Sequence, residues 1–307
     1  MTNDGGRAQR AVKGHHGKPI PHWTFAIGIW SFPRLFADEL ANNPRRGGFI
    51  MQLKVAALCL LGIAGATPVF GQDLRDTFLD VAKRELGSAR MAEPPSAGGT
   101  RSAIGPQLYR QVVDSVVLVV TKDAIGTGVL VSPQGHILTN WHVAKDNEVV
   151  GVVPRNRELL KGLTELRKEN VSLARVLALD PRRDLALLYV TPVPVSLKVA
   201  PLGKPGTVEV GQDVYSIGHP EGLLWSYAEG VVSQIRPDYQ WVYKDGSTHQ
   251  ATVLQTQTPM YPGNSGGALF DGGRQVVGIL YGGKEATLGF AIAVNEVYDW
   301  IQSLVRK

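Results

Sequence analysis

One cysteine stands in 307 residues, Cys59, and it lies inside an apolar run from Val55 to Phe70. With that run removed the chain holds no thiol, which excludes disulfides, cysteine-held metals and a cysteine nucleophile. The run is about 16 residues with glycine and proline interruptions near its end, short of the roughly 20 that cross a bilayer. No P-loop and no dinucleotide-binding glycine fingerprint occurs, so nothing supports a nucleotide cofactor, and no cofactor is expected. The aromatic share is 7% and the charged share 19%. An excess of basic charge is also missing where it would matter. The formal net charge is +5, yet residues 1–71 carry eight of the 32 basic and three of the 27 acidic residues, leaving 24 of each in the remainder. A near-neutral body argues against a nucleic-acid footprint.

What the chain does have begins with an export pattern. Met51-Gln52-Leu53-Lys54 gives a short positive start, Val55–Phe70 an apolar stretch, and Ala66 or Gly71 a cleavage point, which together describe a signal peptide over 51–71. A signal peptide at residue 51 implies that translation starts at Met51 and that 1–50 is a non-native or disordered extension; His15, His16 and His22 could suggest a metal, but the extension reading takes precedence and no metal is expected. Export without disulfides points to a bacterial periplasm or secretion.

The mature chain opens with a helical stripe over residues 73–90 (Leu74, Phe78, Leu79, Val81, Ala82, Leu86). That stripe has two possible covers, the body or a second copy in a homo-oligomer. Residues 91–106 read as a Pro/Gly/Ser linker, so 72–107 is helix and linker ahead of a body over 108–307. Strands are expected at 112–121, 126–131, 137–139, 149–153, 171–179 and 185–190, with a helical excursion over 155–170. A second set is expected at 213–217, 227–235, 239–243, 252–257, 275–281 and 289–293, closed by a helix over 294–305. Many short strands with regular turns and one late helix predict an all-β body of two antiparallel barrels, about 108–197 and 198–307. No internal repeat is visible.

The chemistry centres on Gly263-Asn264-Ser265-Gly266-Gly267. Alone it reads as a flexible turn, but it lies between two β-prone runs and follows His142, in Thr139-Asn140-Trp141-His142-Val143, and Asp184, in Arg183-Asp184-Leu185. A serine nucleophile needs a base, an acid to orient the base, and donors for the oxyanion. His142, Asp184 and Ser265 supply the first two and the nucleophile. The loop Gly263, Asn264 and Ser265 would form the oxyanion hole, with the N–H groups of Gly263 and Ser265 as donors, each worth roughly 3–4 kcal/mol of barrier. Activity should rise with pH through the ordinary histidine range of about 6–7. His219 suggests a metal ligand, but without a second ligand cluster it reads as a turn residue; Trp225, Trp241 and Tyr243 read as packing before they read as a peptide-binding surface.

The segments G-T-G-V-L-V-S-P-Q-G-H-I-L-T-N-W-H-V (126–143), D-L-A-L-L (184–188), Y-S-I-G-H-P-E-G (215–222), E-G-V-V-S (229–233), G-N-S-G-G-A-L-F (263–270) and L-G-F-A-I (288–292) resemble the trypsin-like serine endopeptidases of the HtrA/Deg family, in order over about 108–304. The resemblance implies a chymotrypsin-like double β-barrel with the triad split across the cleft and protein or peptide substrates. It also brings a departure, since no PDZ domain follows. Position 259, six before Ser265, holds Pro259 where a trypsin-type specificity would need an acid; with Leu280, Tyr281 and Ala291 expected beside it, the pocket should take small or medium apolar residues. The alternative is a protease fold kept as a catalytically silent or latent binding or chaperone module.

Overall fold

The computed structural model describes residues 73–87, 104–156, 166–283 and 288–305. The expected extension, signal peptide, most of the linker and most of the helical excursion at 155–170 lie outside them. Twelve strands form two closed antiparallel barrels. The first contains β1 (Val116–Val120), β2 (Ile125–Leu130), β3 (His136–Thr139), β4 (Val149–Pro154), β5 (Ser172–Asp180) and β6 (Leu185–Val190). The second contains β7 (Asp213–Gly218), β8 (Ser226–Val242), β9 (Thr248–Thr256), β10 (Ala268–Asp271), β11 (Val276–Gly283) and β12 (Gly289–Ala293). Around the barrels the strands run β1-β2-β3-β6-β5-β4 and, six places on, β7-β8-β9-β12-β11-β10. The two halves therefore repeat one topology that no sequence similarity betrays.

The burial pattern explains the uninterrupted apolar strands. Successive side chains of a strand point to opposite faces, and in β1 both faces are covered. Val117 and Val119 join residues from the other five strands inside the first barrel. Val116, Leu118 and Val120 pack outward into a larger core that also takes in Tyr215, Ile217, Trp225 and Phe270 of the second half. Closing each sheet into a barrel removes the exposed edges that such β-branched strands would otherwise present.

Helix α1 (Asp73–Gly87) turns Phe78, Val81, Ala82 and Leu86 into that same outward core. Phe78 sits directly on Gly151 of β4, where an added Cβ would come within 2.9 Å of it. Burying one such phenylalanine contributes about 2–3 kcal/mol. The stripe is thus covered by the chain's own body, by strands of the first barrel together with the turn Pro220–Gly222. Helix α2 (Gly105–Val112) was expected to be linker and strand; Pro106 fits the first helical turn, where its missing N–H costs nothing. Helix α3 (Trp141–Ala144) is a single turn after β3, and α4 (Val294–Val305) closes the chain with Val297, Trp300 and Ile301 inward. Among the described residues no helix is long and apolar enough to cross a membrane.

Candidate active site

His142 and Asp184 both belong to the first barrel, and the local backbone brings them together. Asn140 is extended (φ −85°, ψ 153°) and turns β3 into α3, which carries His142. Asp184 sits between β5 and β6 with φ +57°, a left-handed conformation that aspartate tolerates better than most residues. Its carbonyl there accepts from Trp141 N–H at 3.1 Å and from Asn140 Nδ2 at 3.0 Å. Its carboxylate, fully buried, accepts the His142 backbone N–H at 2.9 Å on Oδ1. The His142 ring donates from Nδ1 to Oδ2 at 2.8 Å. Because a carboxylate only accepts, this contact keeps the proton on Nδ1 and leaves Nε2 with a lone pair.

Ser265 is presented by the connection from β9 to β10 in the second barrel. Tyr261-Pro262-Gly263-Asn264 is a turn closed by Asn264 N–H to the Tyr261 carbonyl at 3.1 Å. Gly263 has φ +97°, which with proline one place earlier is type II geometry. Two carbonyls of the loop are tied to the first barrel by one residue: Thr127 N–H reaches the Ser265 carbonyl at 2.8 Å, and Thr127 Oγ1 donates to the Gly263 carbonyl at 2.7 Å. The Pro262 carbonyl accepts from Glu221 N–H at 2.7 Å. In a trans peptide the N–H lies opposite its carbonyl, so the Gly263 N–H points away from Glu221.

Few backbone donors go unpaired in a folded protein, and most of the loop's N–H groups follow that rule. Those of Asn264, Gly266 and Gly267 go to the carbonyls of Tyr261, Leu280 and Asn264. Those of Gly263 and Ser265 meet no protein acceptor among the described residues. Asn264, expected in the oxyanion hole, therefore shapes the loop and donates inward. His142, Gly263 and Ser265 line one cavity of about 310 Å³ with Thr121, Ile125 and Pro262 among its other walls. A larger hollow of about 760 Å³ along Lys145–Val149 and Arg175–Leu179 holds none of these residues.

The expected specificity pocket needs correction. Leu280 and Ala291 are fully buried inside the second barrel with Val214, Leu254 and Leu269, so neither can meet a substrate side chain. Tyr281, on the opposite face of β11, is 5% exposed and stacks on Trp241 at 4.2 Å between centroids. Pro259 is partly exposed. Met260, next to it, is buried in the same interior cluster as Leu280 and Ala291 and packs against Gly283 and Gly289, where an added Cβ would come within 2.7 and 2.8 Å of its side chain.

Three other contributors were not singled out as site residues by the sequence. Thr127 lies in an ordinary small-residue strand, Glu221 acts through its backbone, and Tyr243 donates from its hydroxyl to Asp184 Oδ2 at 2.7 Å. Burial, and then the Asp184 carboxylate, push the Tyr243 phenol far above its usual range, so it stays a donor. His219 is wholly buried, and burial holds its pKa down to about 3. Since Thr127 Oγ1 gives its proton to Gly263, it accepts from His219 Nδ1 at 2.8 Å. His219 is thus a neutral brace beneath the loop, and among the described residues no cluster suited to a metal occurs.

The family described as trypsin-like peptidase domain matches residues 126–279, half of the chain, a span that includes His142, Asp184 and Ser265. The chain belongs to the trypsin-like peptidase family. Within it, this peptidase domain is 30% identical over 287 residues to serine protease PepD of Mycobacterium tuberculosis, covering 83% of this chain and 57% of that protein. It is 29% identical over 246 residues to the chloroplastic protease Do-like 1 of Arabidopsis thaliana, covering 72% and 52%. A probable periplasmic DegP-like serine endoprotease of Pseudomonas fluorescens is 33% identical over 181 residues, covering 57% and 34%. The chain thus spans less than two thirds of each of these relatives. Among solved structures, the serine endoprotease of Yersinia pestis superposes with a TM-score of 0.52 at 28% identity, covering 68% of this chain and 69% of that one. An inactive form of the Rv3671c protein of M. tuberculosis gives 0.54 at 23% identity, covering 68% and 95%, a likeness of fold alone.

Proposed function

We propose that this trypsin-like peptidase is a serine endopeptidase that cleaves through an acyl-enzyme. The observation that carries the reading is the His142 Nδ1–Asp184 contact at 2.8 Å in a fold where His142, Gly263 and Ser265 share one cavity. Ser265 Oγ attacks the scissile carbonyl and His142 Nε2 takes its proton, later giving it to the departing amine. Buried Asp184 holds the ring and stabilises the imidazolium that forms. The developing oxyanion meets the unspent N–H groups of Gly263 and Ser265, and no cofactor enters. The Glu221 contact to the Pro262 carbonyl favours a loop formed in advance over a latent one, because turning the Gly263 N–H requires breaking that bond and the type II turn. Among the described residues no hydrogen bond joins Ser265 Oγ to Nε2, a contact that often tightens only when substrate arrives.

Three finer points belong to the same proposal. Cleavage falls after small or medium apolar residues, since position 259 offers no acid to hold Lys or Arg; a peptide-library digest dominated by Lys or Arg would overturn this. The protein is exported to the periplasm or beyond, as the composition of 51–71 suggests; N-terminal sequencing from its host, giving a start at Met1, would refute it. Its substrates are accessible or unfolded proteins. Incubation with reduced casein, followed by fragment mapping, tests the activity as a whole.

A further inference from the structure

Both members of the histidine–aspartate pair come from the first barrel, yet the carboxylate has a third donor from the second. The β8–β9 hairpin ends in a tight tip, Tyr243 to Ser247, closed by Tyr243 N–H to the Ser247 carbonyl at 3.0 Å. This hairpin crosses the cleft and docks on the very loop that bears Asp184. Gln250 N–H donates to the Arg182 carbonyl at 2.7 Å, and His249 Nδ1 lies 2.6 Å from the Pro181 carbonyl. The tip is also tied to α3: Asp245 pairs with Lys145, three residues after His142, and Lys145 lies over the Trp141 ring at 4.7 Å. So held, Tyr243 places its ring 4.8 Å from the His142 ring and its hydroxyl on Asp184 Oδ2, with the Tyr281 carbonyl a more distant 3.2 Å away.

We propose that Tyr243 is a positioning residue for the peptidase reaction: its hydroxyl fixes the Asp184 carboxylate from across the cleft, and through it the orientation of the His142 ring. The inference rests on the endopeptidase reading. The other donors to the carboxylate, the backbone N–H and the ring Nδ1, both belong to His142 and move with it, so the Tyr243 hydroxyl is the one that anchors the carboxylate from outside that residue. With the Tyr243 hydroxyl on Oδ2, the His142 N–H on Oδ1 and the ring Nδ1 within 2.8 Å of Oδ2 and 3.0 Å of Oδ1, one rotation satisfies all three donors. The hydroxyl also draws negative charge away from the imidazole. The other titratable groups around the pair are His249 and Asp245 on the hairpin, Lys145 and Asp146 at α3, Tyr281 on β11 and Asp123 at the cavity edge; Tyr243→Phe alters none of them.

The experiment compares the full mature chain with Tyr243→Phe by peptide hydrolysis across pH, by thermal melting, and by the downfield proton resonance of His142 Nδ1–H. The expected result is a fall in kcat of about 10- to 100-fold, the kinetic equivalent of one charged hydrogen bond, with KM within about twofold. The acid limb of kcat/KM should move up by about half a pH unit, because the imidazolium then faces a more exposed negative charge. Should Tyr243→Phe melt early, Asp245→Ala, which releases the tip and keeps the hydroxyl, should shift the limb in the same direction by a smaller amount. Wild-type kcat, acid limb and proton resonance in a folded Tyr243→Phe protein would overturn the assignment. A wild type with no activity would instead refute the endopeptidase reading, and the proton resonance would still report whether the hydroxyl orders the pair.

Discussion

His219 gives the peptidase a stability that acid should remove. The ring is fully buried, its Nδ1 proton is committed to Thr127, and Nε2 has no partner among the described residues. A second histidine, His136, is also buried, beside Ser132, and burial brings it down to about 4. An unfolded histidine takes up a proton near pH 6.5, whereas folded His219 refuses one until about pH 3. Between those values the unfolded state binds more protons, so stability rises with pH and is lost as pH falls through 6.5. For His219 the loss from pH 7 to pH 5 comes to about 2 kcal/mol, and His136 adds a similar amount. Asparagine at 219 can still donate to Thr127 but cannot titrate. Urea unfolding of wild type and His219→Asn at pH 7, 6 and 5 should therefore show the variant losing about 2 kcal/mol less over that interval. Equal losses in the two proteins would refute the reasoning, since they would mean that His219 is as free to take a proton when folded as when unfolded.

Further outcomes follow from the packing. Phe78→Ala should lower stability by about 3–5 kcal/mol, because the ring lies fully buried on Gly151; equilibrium unfolding measures it. Gly263→Ala should abolish hydrolysis, since a Cβ there would sit 2.2 Å from the His219 carbonyl at φ +97° and force the loop to turn; kcat on a peptide substrate, alongside a melting curve, reads the effect. Gly266→Ala, with its Cβ 2.0 Å from the Thr127 carbonyl, should be harsher and reduce soluble expression.

Much of this was legible from the sequence because the strands of a small barrel covered on both sides are short and apolar, and eleven of the twelve fall on expected runs. What escaped did so for physical reasons. β8 was expected as two strands because Pro237 cannot donate to a ladder; a register shift between Arg236 and Tyr239, with Asp238 at φ +48°, absorbs the proline and lets the strand continue. β10 is four residues long and hidden behind the glycines that flank Ser265. The pocket failed on parity, since one step along β11 moves a side chain from the barrel interior at Leu280 to the outer face at Tyr281. The order and settings of His142, Asp184 and Ser265 single them out in the sequence, and the structure sets His142 against Asp184 and in one cavity with Ser265. The parts played by Thr127, Tyr243 and the Glu221 N–H were not legible, because each reaches the site only through a tertiary contact, even though Thr127 and Glu221 lie in segments that carry the family resemblance.

The most direct test of the central claim is fluorophosphonate labelling of the folded mature chain at pH 8, with Ser265→Ala in parallel. The account predicts one covalent adduct on Ser265 in wild type and none in the variant, with both proteins melting alike. A folded wild type that stays unlabelled, or an adduct that persists in Ser265→Ala, would contradict it.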